Sequence, residues 1–397
     1  MNLALQVFFW FSLLLIFYSY LGYGILLWLL IKIRRAFKGK PVLPVLKEYP
    51  PVTLLIASYN EADFLEDKVK NCLELDYPAD KLTLLFVTDG SNDGSPDLLS
   101  KHPRITVLHR DARAGKIGAM NRGMEHVTTP ITIFCDANTL LTPASIKNIV
   151  RHYNLPETGC VAGEKQIIQE GAEHASGAGE GIYWKYESTL KRWDSELCTV
   201  VGAAGELFSL RTELFEVVEK DTLLDDFMIS LRIAGKGYKV VYEPEAIAME
   251  KPTADVAEEF KRKIRICAGG IQSIIRLAYL LNIFRYGILT FQYVSHRVLR
   301  WSLTPLCLAL IIPVNAWLCF TELSAGMPGI YSLLMLGQVL FYAMSLLGWY
   351  LANRRIKVKV LFVPYYFFIM NLSVFLGFRR WLKGNQSVLW EKAKRAS

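Results

Sequence analysis

The sequence predicts an α/β domain with a mostly parallel sheet, held between membrane-spanning helices. Two observations carry that prediction. Residues 1–31 contain no charged side chain, and neither do the runs 301–321, 323–353 and 360–378. About 20 apolar residues suffice to cross a bilayer. Between these runs, short apolar β-rich segments alternate with helical patterns, the signature of a sheet covered on both faces.

Taken in order, residues 1–33 read as a retained transmembrane helix, because a secretory signal would have a positive start and a cleavage site. Thr53–Ala57, Leu82–Val87, Ile105–Leu108 and Ile131–Cys135 are expected as strands. Glu61–Leu75, Ala114–Val127 and Pro143–Tyr153 are expected as helices between or after them. Beyond residue 155 the pattern loosens. Gly171–Gly181 reads as a loop, Ile182–Trp193 as a helix, and Val200–Ser209 and Lys239–Tyr242 as further strands. The domain so bounded is 34–254. Residues 255–290 mix basic and apolar residues at helical spacing, which suits helices lying in the membrane interface.

Residues 291–381 form the C-terminal membrane region. Its first two runs are joined by Glu322 and a Gly/Pro turn, which predicts a hairpin; the third, with Pro364 and Asn371, reads equally as a span or as a re-entrant segment. Residues 382–397 are a basic tail, in which 386–392 read as a return to the site or as an interface anchor. Lys32, Arg34, Arg35 and Lys38 follow the first helix, and Arg354, Arg355 and Lys357 follow the hairpin. By the positive-inside rule this places 33–290 on the cytoplasmic side of a plasma membrane.

The formal net charge is +8. Much of the excess lies beside the apolar runs, so lipid rather than nucleic acid is the expected partner. The seven cysteines show no CxxC pair, which argues against a disulfide framework or a zinc site.

Polar clusters fall at the carboxyl ends of the expected strands, where open α/β sheets bind ligands. Ser58-Tyr59-Asn60-Glu61 can present hydroxyls and helix amides to a nucleotide, or Ser58 or Asn60 can simply cap a helix. Asp89 can accept from a base N–H, or form an Asx-turn in Gly90-Ser91-Asn92-Asp93. Arg113 and Lys116 stand at a helix start, where cations oppose the helix dipole and imply an anion nearby, unless the turn is merely solvated. Asp136 and Asn138 offer oxygen ligands that suit Mg²⁺ or Mn²⁺ on phosphates, with helix capping as the rival. Asp225-Asp226 opens a helix, where adjacent like charges raise one pKa toward that of a general base or where two acids merely favour the dipole.

Together, Ser58-Tyr59-Asn60-Glu61, Asp89-Gly90-Ser91, Arg113-Ala114-Gly115-Lys116, Asp136-x-Asn138 and Asp225-Asp226 resemble the membrane-embedded family 2 glycosyltransferases. These include the poly-N-acetylglucosamine, hyaluronan, chitin and cellulose synthases. The resemblance implies a GT-A (Rossmann-like) fold and inverting transfer from UDP-N-acetylglucosamine or UDP-glucose to a growing β-linked glycan. It puts Tyr59 and Asp89 at the uracil with Lys116 near it, Asp136 at the ribose and diphosphate, and Asn138 in the metal position. Ser58, Glu61, Arg113 and Arg262 join the nucleotide-sugar site. Asp226 becomes the base with Asp225 beside it, and Arg265 neutralises the leaving diphosphate.

Three departures stand out: Asn138 replaces a carboxylate, Arg262 a Gln, and Ile266 the Trp that grips the acceptor. Tyr183 and Trp184 either offer other aromatic faces to a glycan acceptor or serve as core. Loss of the Trp also suits single additions to a lipid acceptor. An inactive scaffold subunit is the reading from another class. Four spans make a narrow conduit, which an accessory subunit or a dimer would complete.

Overall fold

The computed structural model describes residues 2–168, 176–251, 256–326, 328–354, 356 and 358–384. The chain enters through α1 (Leu3–Lys38), whose ladder widens to a π turn at Tyr18–Gly22. There follow β1 (Val52–Ser58), α2 (Ala62–Leu73), β2 (Leu82–Asp89), α3 (Ser95–Ser100), β3 (Ile105–Arg110), α4 (Gly115–Met124) and β4 (Ile131–Asp136). All of β1 is buried. Its alternation sends Leu55 and Ala57 to one face with Val87, Ile117 and Phe134, and Leu54 and Ile56 to the other with Leu65, Phe86 and Ile133. Burial on both faces is what a central parallel strand requires.

The second half runs β5 (Thr139–Leu141), α5 (Ser145–Val150), β6 (Thr158–Ile167), α6 (Ser176–Leu197), β7 (Leu207–Arg211), α7 (Asp225–Gly235) and β8 (Lys239–Glu250). The sheet order is β3-β2-β1-β4-β7-β6-β8-β5. Strands β3 to β4 are parallel to one another. Strand β7 runs antiparallel to both β4 and β6, and β5 antiparallel to β8. Strands β6 and β8 are again parallel, so the sheet is mixed, with antiparallel pairing confined to β7 and to the β5–β8 edge. Residues 200–206 are not strand, because Gly202 takes φ +90° and turns the chain there. Residues 176–181, expected as loop, begin α6; 171–175 lie outside the described residues.

Helix α8 (Val256–Arg276) leads through short turns at Ile283–Tyr286 and Ile288–Tyr293 to α9 (Leu303–Ser324), α10 (Ile330–Asn353) and α11 (Lys359–Leu382). Among the described residues four helices, α1 and α9 to α11, are long and apolar enough to cross a membrane. The Glu322 carboxylate accepts from the amides of Gly329, Tyr331 and Ser332, so the α9–α10 turn is closed by the acid that interrupts the apolar run. Helix α11 continues through Pro364. It packs directly on α8: a Cβ on Gly377 would meet the Ala268 amide and Cys267 Cβ at 2.8 Å. One face of α8 is thus covered by protein as well as lying beside the membrane helices. The basic tail, 385–397, lies outside the described residues.

Helix α1 is tied to α6 by buried polar groups. The Tyr23 hydroxyl donates to Asp194, and His296 sits between Asp194 (2.6 Å) and Glu187 (3.1 Å). Arg297 closes on Glu187 at 2.6 Å. Arg297 and Arg300 thus answer the buried Glu187 carboxylate, as burial of a charge demands. All seven cysteines are free thiols.

Candidate active site

Strand β1 delivers Ser58 to the site edge, buried and with its Oγ lacking a hydrogen-bond partner. The chain then turns through Asn60 at φ +51°, a conformation Asn tolerates because its side chain can bond locally. Asn60 Nδ2 donates to Asn92 Oδ1 and Asn92 N donates to Asn60 Oδ1, both at 3.0 Å. Neither Ser58 nor Asn60 caps α2. Asp93, from the loop after β2, accepts the Ala62 amide at 2.9 Å and the Ser95 amide and hydroxyl. Burial opposes its charge, but these donors hold the Asp93 carboxyl below the ordinary range. Tyr59 lies beneath Arg113, whose guanidinium is 3.5 Å from the ring centroid, and buried Glu61 opens α2.

Asp89 ends β2. Its buried carboxylate accepts the amides of Ala114 (2.9 Å) and Gly115 (2.7 Å) and lies 3.8 Å from Arg122. These amides are 25 and 26 residues away, so the contact is a long-range cap on α4 rather than an Asx-turn. The cap fixes the turn that carries Arg113 and Lys116. Lys116 then reaches across the strand ends. Its Nζ is 2.8 Å from Asp136 Oδ1 and 3.2 Å from Asp225 Oδ2.

The acids come from two directions. Asp136 closes β4, followed by Asn138, whose buried Oδ1 has no hydrogen-bond partner. Asp225 and Asp226 open α7, where the helix dipole favours negative charge. The 200–206 loop wraps this helix start closely. A Cβ on Gly202 would lie 2.3 Å from the Phe227 ring, and one on Gly205 would lie 3.4 Å from Asp226 Oδ2. Burial, then the neighbouring Asp225 charge, pushes the Asp226 carboxyl up to about 7, against the pull of Lys116. Burial also raises Asp136, with Lys116 opposing. For Lys116, burial works against the charge, but Asp136 and Asp225 prevail and hold it above the usual lysine range.

The remaining called residues lie on α8 and α6. Arg265 is exposed and makes no ion pair or hydrogen bond among the described residues. Arg262 stands 3.6 Å from Glu206 and 3.7 Å from Glu259. Ile266 is half-buried. Trp184 is half-buried, with the ammonium groups of Lys165, Lys191 and Lys263 at 5.6–5.9 Å from its ring. Tyr183 lies on α6, but its side chain falls outside the described residues.

Two residues that the sequence reading did not single out complete the wall. Glu206 takes Lys165 at 2.7 Å, and Lys165 also pairs with Glu250. Burial opposes the Glu206 charge, but Lys165 and Arg262 hold its carboxyl well below the ordinary range. The Asp136 amide donates to the Glu206 carbonyl at 3.4 Å, which seats this pair against the acids.

The Asp136 carboxylate and the orphaned Asn138 Oδ1 are hard oxygen donors of the kind Mg²⁺ or Mn²⁺ takes, so the residues fit such an ion. No group of three or more His, Cys, Asp or Glu gathers as a cage among the described residues. An ion here would complete its shell with water and phosphate oxygens.

Residues 53–218 match the model of the glycosyl transferase family 2. The chain carries a family 2 glycosyltransferase domain. Poly-β-1,6-N-acetyl-D-glucosamine synthase of Staphylococcus aureus strain MSSA476 is 25% identical over 256 residues, 62% of this chain and 60% of that protein. The synthase of the same name from Staphylococcus epidermidis is 23% identical over 236 residues, 57% of this chain and 56% of that one. The match thus spans less than two thirds of these relatives. A mannosyltransferase from Pyrobaculum calidifontis, solved with GDP-Man and Mn²⁺, superposes with a TM-score of 0.71 at 21% identity. It covers 96% of this chain and 100% of its own. The glycosyltransferase domain has the GT-A fold, with one apolar helix before it and three after it.

Proposed function

We propose that the protein transfers a sugar from a UDP-sugar, with inversion, to a growing β-linked glycan at the cytoplasmic face of the membrane. The observation that carries this reading is the placement of Asp226, its pKa raised to about 7, at a helix start beside Lys116, Asp136 and Asp225. Such a carboxylate can take the proton of an acceptor hydroxyl near neutral pH. The hydroxyl oxygen forms its bond to the anomeric carbon as the bond to UDP breaks on the opposite face, so one displacement inverts the centre.

Tyr59 with Arg113 over its ring would hold the base. Arg265, which faces the charges of Asp225 and Asp136 without pairing with either, would receive the charge that develops on the leaving diphosphate. Asp136 and Asn138 would hold Mg²⁺ or Mn²⁺, which supplies Lewis-acid stabilisation of that same charge. UDP-N-acetylglucosamine is the first donor to test, because the matched relatives are named as synthases of its polymer. The apolar helices support export of the product alongside its synthesis.

Ile266 favours a second reading, addition of one or a few sugars to a lipid acceptor, because no aromatic face is offered at that position of α8. Membranes carrying the protein are incubated with labelled UDP-N-acetylglucosamine, UDP-glucose and other UDP-sugars, and the products are sized. Long polymer selects the first reading and a short lipid-linked product the second. Absence of transfer from every donor overturns both.

A further inference from the structure

Lys116 stands where the sequence did not put it. Resemblance places it near the base, yet its ammonium lies between Asp136 Oδ1 at 2.8 Å and Asp225 Oδ2 at 3.2 Å. A Cβ on Gly205 would sit 3.7 Å from that ammonium and 3.4 Å from Asp226 Oδ2, so the lysine also borders the third acid. The carboxylate that would hold a divalent ion is therefore already occupied by a cation of the chain itself.

The neighbouring groups give the ion little else. Asn138 contributes a neutral oxygen, and the nearby Glu206 is engaged by Lys165 at 2.7 Å. A divalent ion entering this seat meets a positive charge within a few ångströms, at close quarters where screening is weak. Yet the seat is not closed by geometry. Asn138 Oδ1 is buried without a hydrogen-bond partner, so an oxygen donor stays available beside the ammonium.

The backbone under Lys116 is fixed, since Asp89 holds the amides of Ala114 and Gly115 at 2.9 and 2.7 Å. Only the side chain can move. A diphosphate gives the ammonium a new partner and brings oxygens that complete a metal shell. We propose that Lys116 is a resident cation that keeps a divalent ion out of the Asp136 seat until a nucleoside diphosphate arrives, so that metal and nucleotide bind together.

The proposal rests on the UDP-sugar reading of the site, and the test separates the two. Mn²⁺ binding to the full-length protein in nanodiscs is followed by the EPR signal of free Mn²⁺, with and without UDP. In the wild type, UDP is expected to tighten Mn²⁺ binding at least tenfold. Lys116→Gln is expected to reach a comparable gain without UDP, and Lys116→Arg, which keeps the charge, to behave like the wild type. An unchanged Lys116→Gln overturns the proposal, whatever UDP does to Mn²⁺ binding by the wild type. If Lys116→Gln tightens nucleotide-free Mn²⁺ binding but UDP has no effect on either protein, the exclusion stands and the nucleotide reading fails. Lys116→Met, checked by its thermal midpoint, serves if the Gln variant does not fold.

Discussion

Replacing Asp226 with Asn separates the demands of chemistry from those of folding at one atom. Burial and the adjacent Asp225 push its carboxyl up to about 7. A base works only when deprotonated, so the active fraction is roughly a tenth at about pH 6 and nine tenths at about pH 8. Between those values kcat/KM, which reports the free enzyme, is expected to rise about tenfold and then level off. The same shift acts on stability with the opposite sign. The folded chain holds this proton more tightly than the unfolded chain, so this group's contribution falls as pH rises from the ordinary carboxylate range through about 7.

Asp226→Asn keeps the shape and removes the charge. It is expected to lower transfer by roughly 10²–10⁴-fold while raising stability at about pH 8 by something on the order of 1–4 kcal/mol. Asp225→Asn removes one source of the shift and moves the acid limb to lower pH. The assay is the initial rate of UDP release from about pH 5.5 to 8.5, paired with thermal denaturation over the same range. A flat rate profile would refute the assignment of Asp226 as the base. So would an Asn variant less stable than the wild type at the alkaline end.

Four further outcomes are expected. Under the proposed function, Arg265→Ala is expected to lower kcat by roughly a hundredfold or more with a smaller change in donor KM, read from steady-state kinetics, because its charge would act on the departing diphosphate. Asn138→Asp restores a second carboxylate and lowers the Mn²⁺ concentration needed for half-maximal activity about tenfold, read by chelation and add-back. Gly202→Ala forces a Cβ to within 2.3 Å of the Phe227 ring at a φ of +90°; it costs roughly 1–3 kcal/mol and lowers the thermal midpoint. Asp89→Ala removes the cap on α4 and costs about 1–2 kcal/mol, while Asp89→Asn loses less, both read by denaturation.

Strands β1, β2 and β4 were legible because each is a nearly continuous apolar run buried on both faces, which a central parallel strand requires; edge strand β3 was legible only through Ile105–Leu108. Strand β6 was not, and the reason is functional. Its far end carries Glu164 and Lys165, and Lys165 is polar because it answers Glu206 and Glu250 at the site wall. A strand that delivers a buried ion pair loses the pattern that would reveal it. Glu206 stayed hidden because the stretch around it reads as apolar β sequence, whereas Gly202 and Gly205 make it a loop pressed against α7.

Position in sequence placed the acids Asp136, Asp225 and Asp226 correctly at element ends, since those ends follow from strand and helix limits. The direction of Lys116 does not follow from such limits. A four-carbon side chain can reach either the base or the acids, and only the assembled charges decide.

The close packing of α8 on α11 at Gly377 has a mechanical meaning. Arg265 rides on the helix whose neighbour, α11, is long enough to cross the bilayer. A helix can answer a change in hydrocarbon thickness by tilting, and at backbone contact distance its neighbour has little side-chain slack to absorb the movement. Under the proposed function, a tilt of α11 is therefore expected to carry α8, and Arg265 with it, relative to the acids on the sheet. Bilayers of graded acyl length should tune the departure of the nucleotide, and loss of α11 should slacken that end of the site while leaving Asp136 and Asp226 in place.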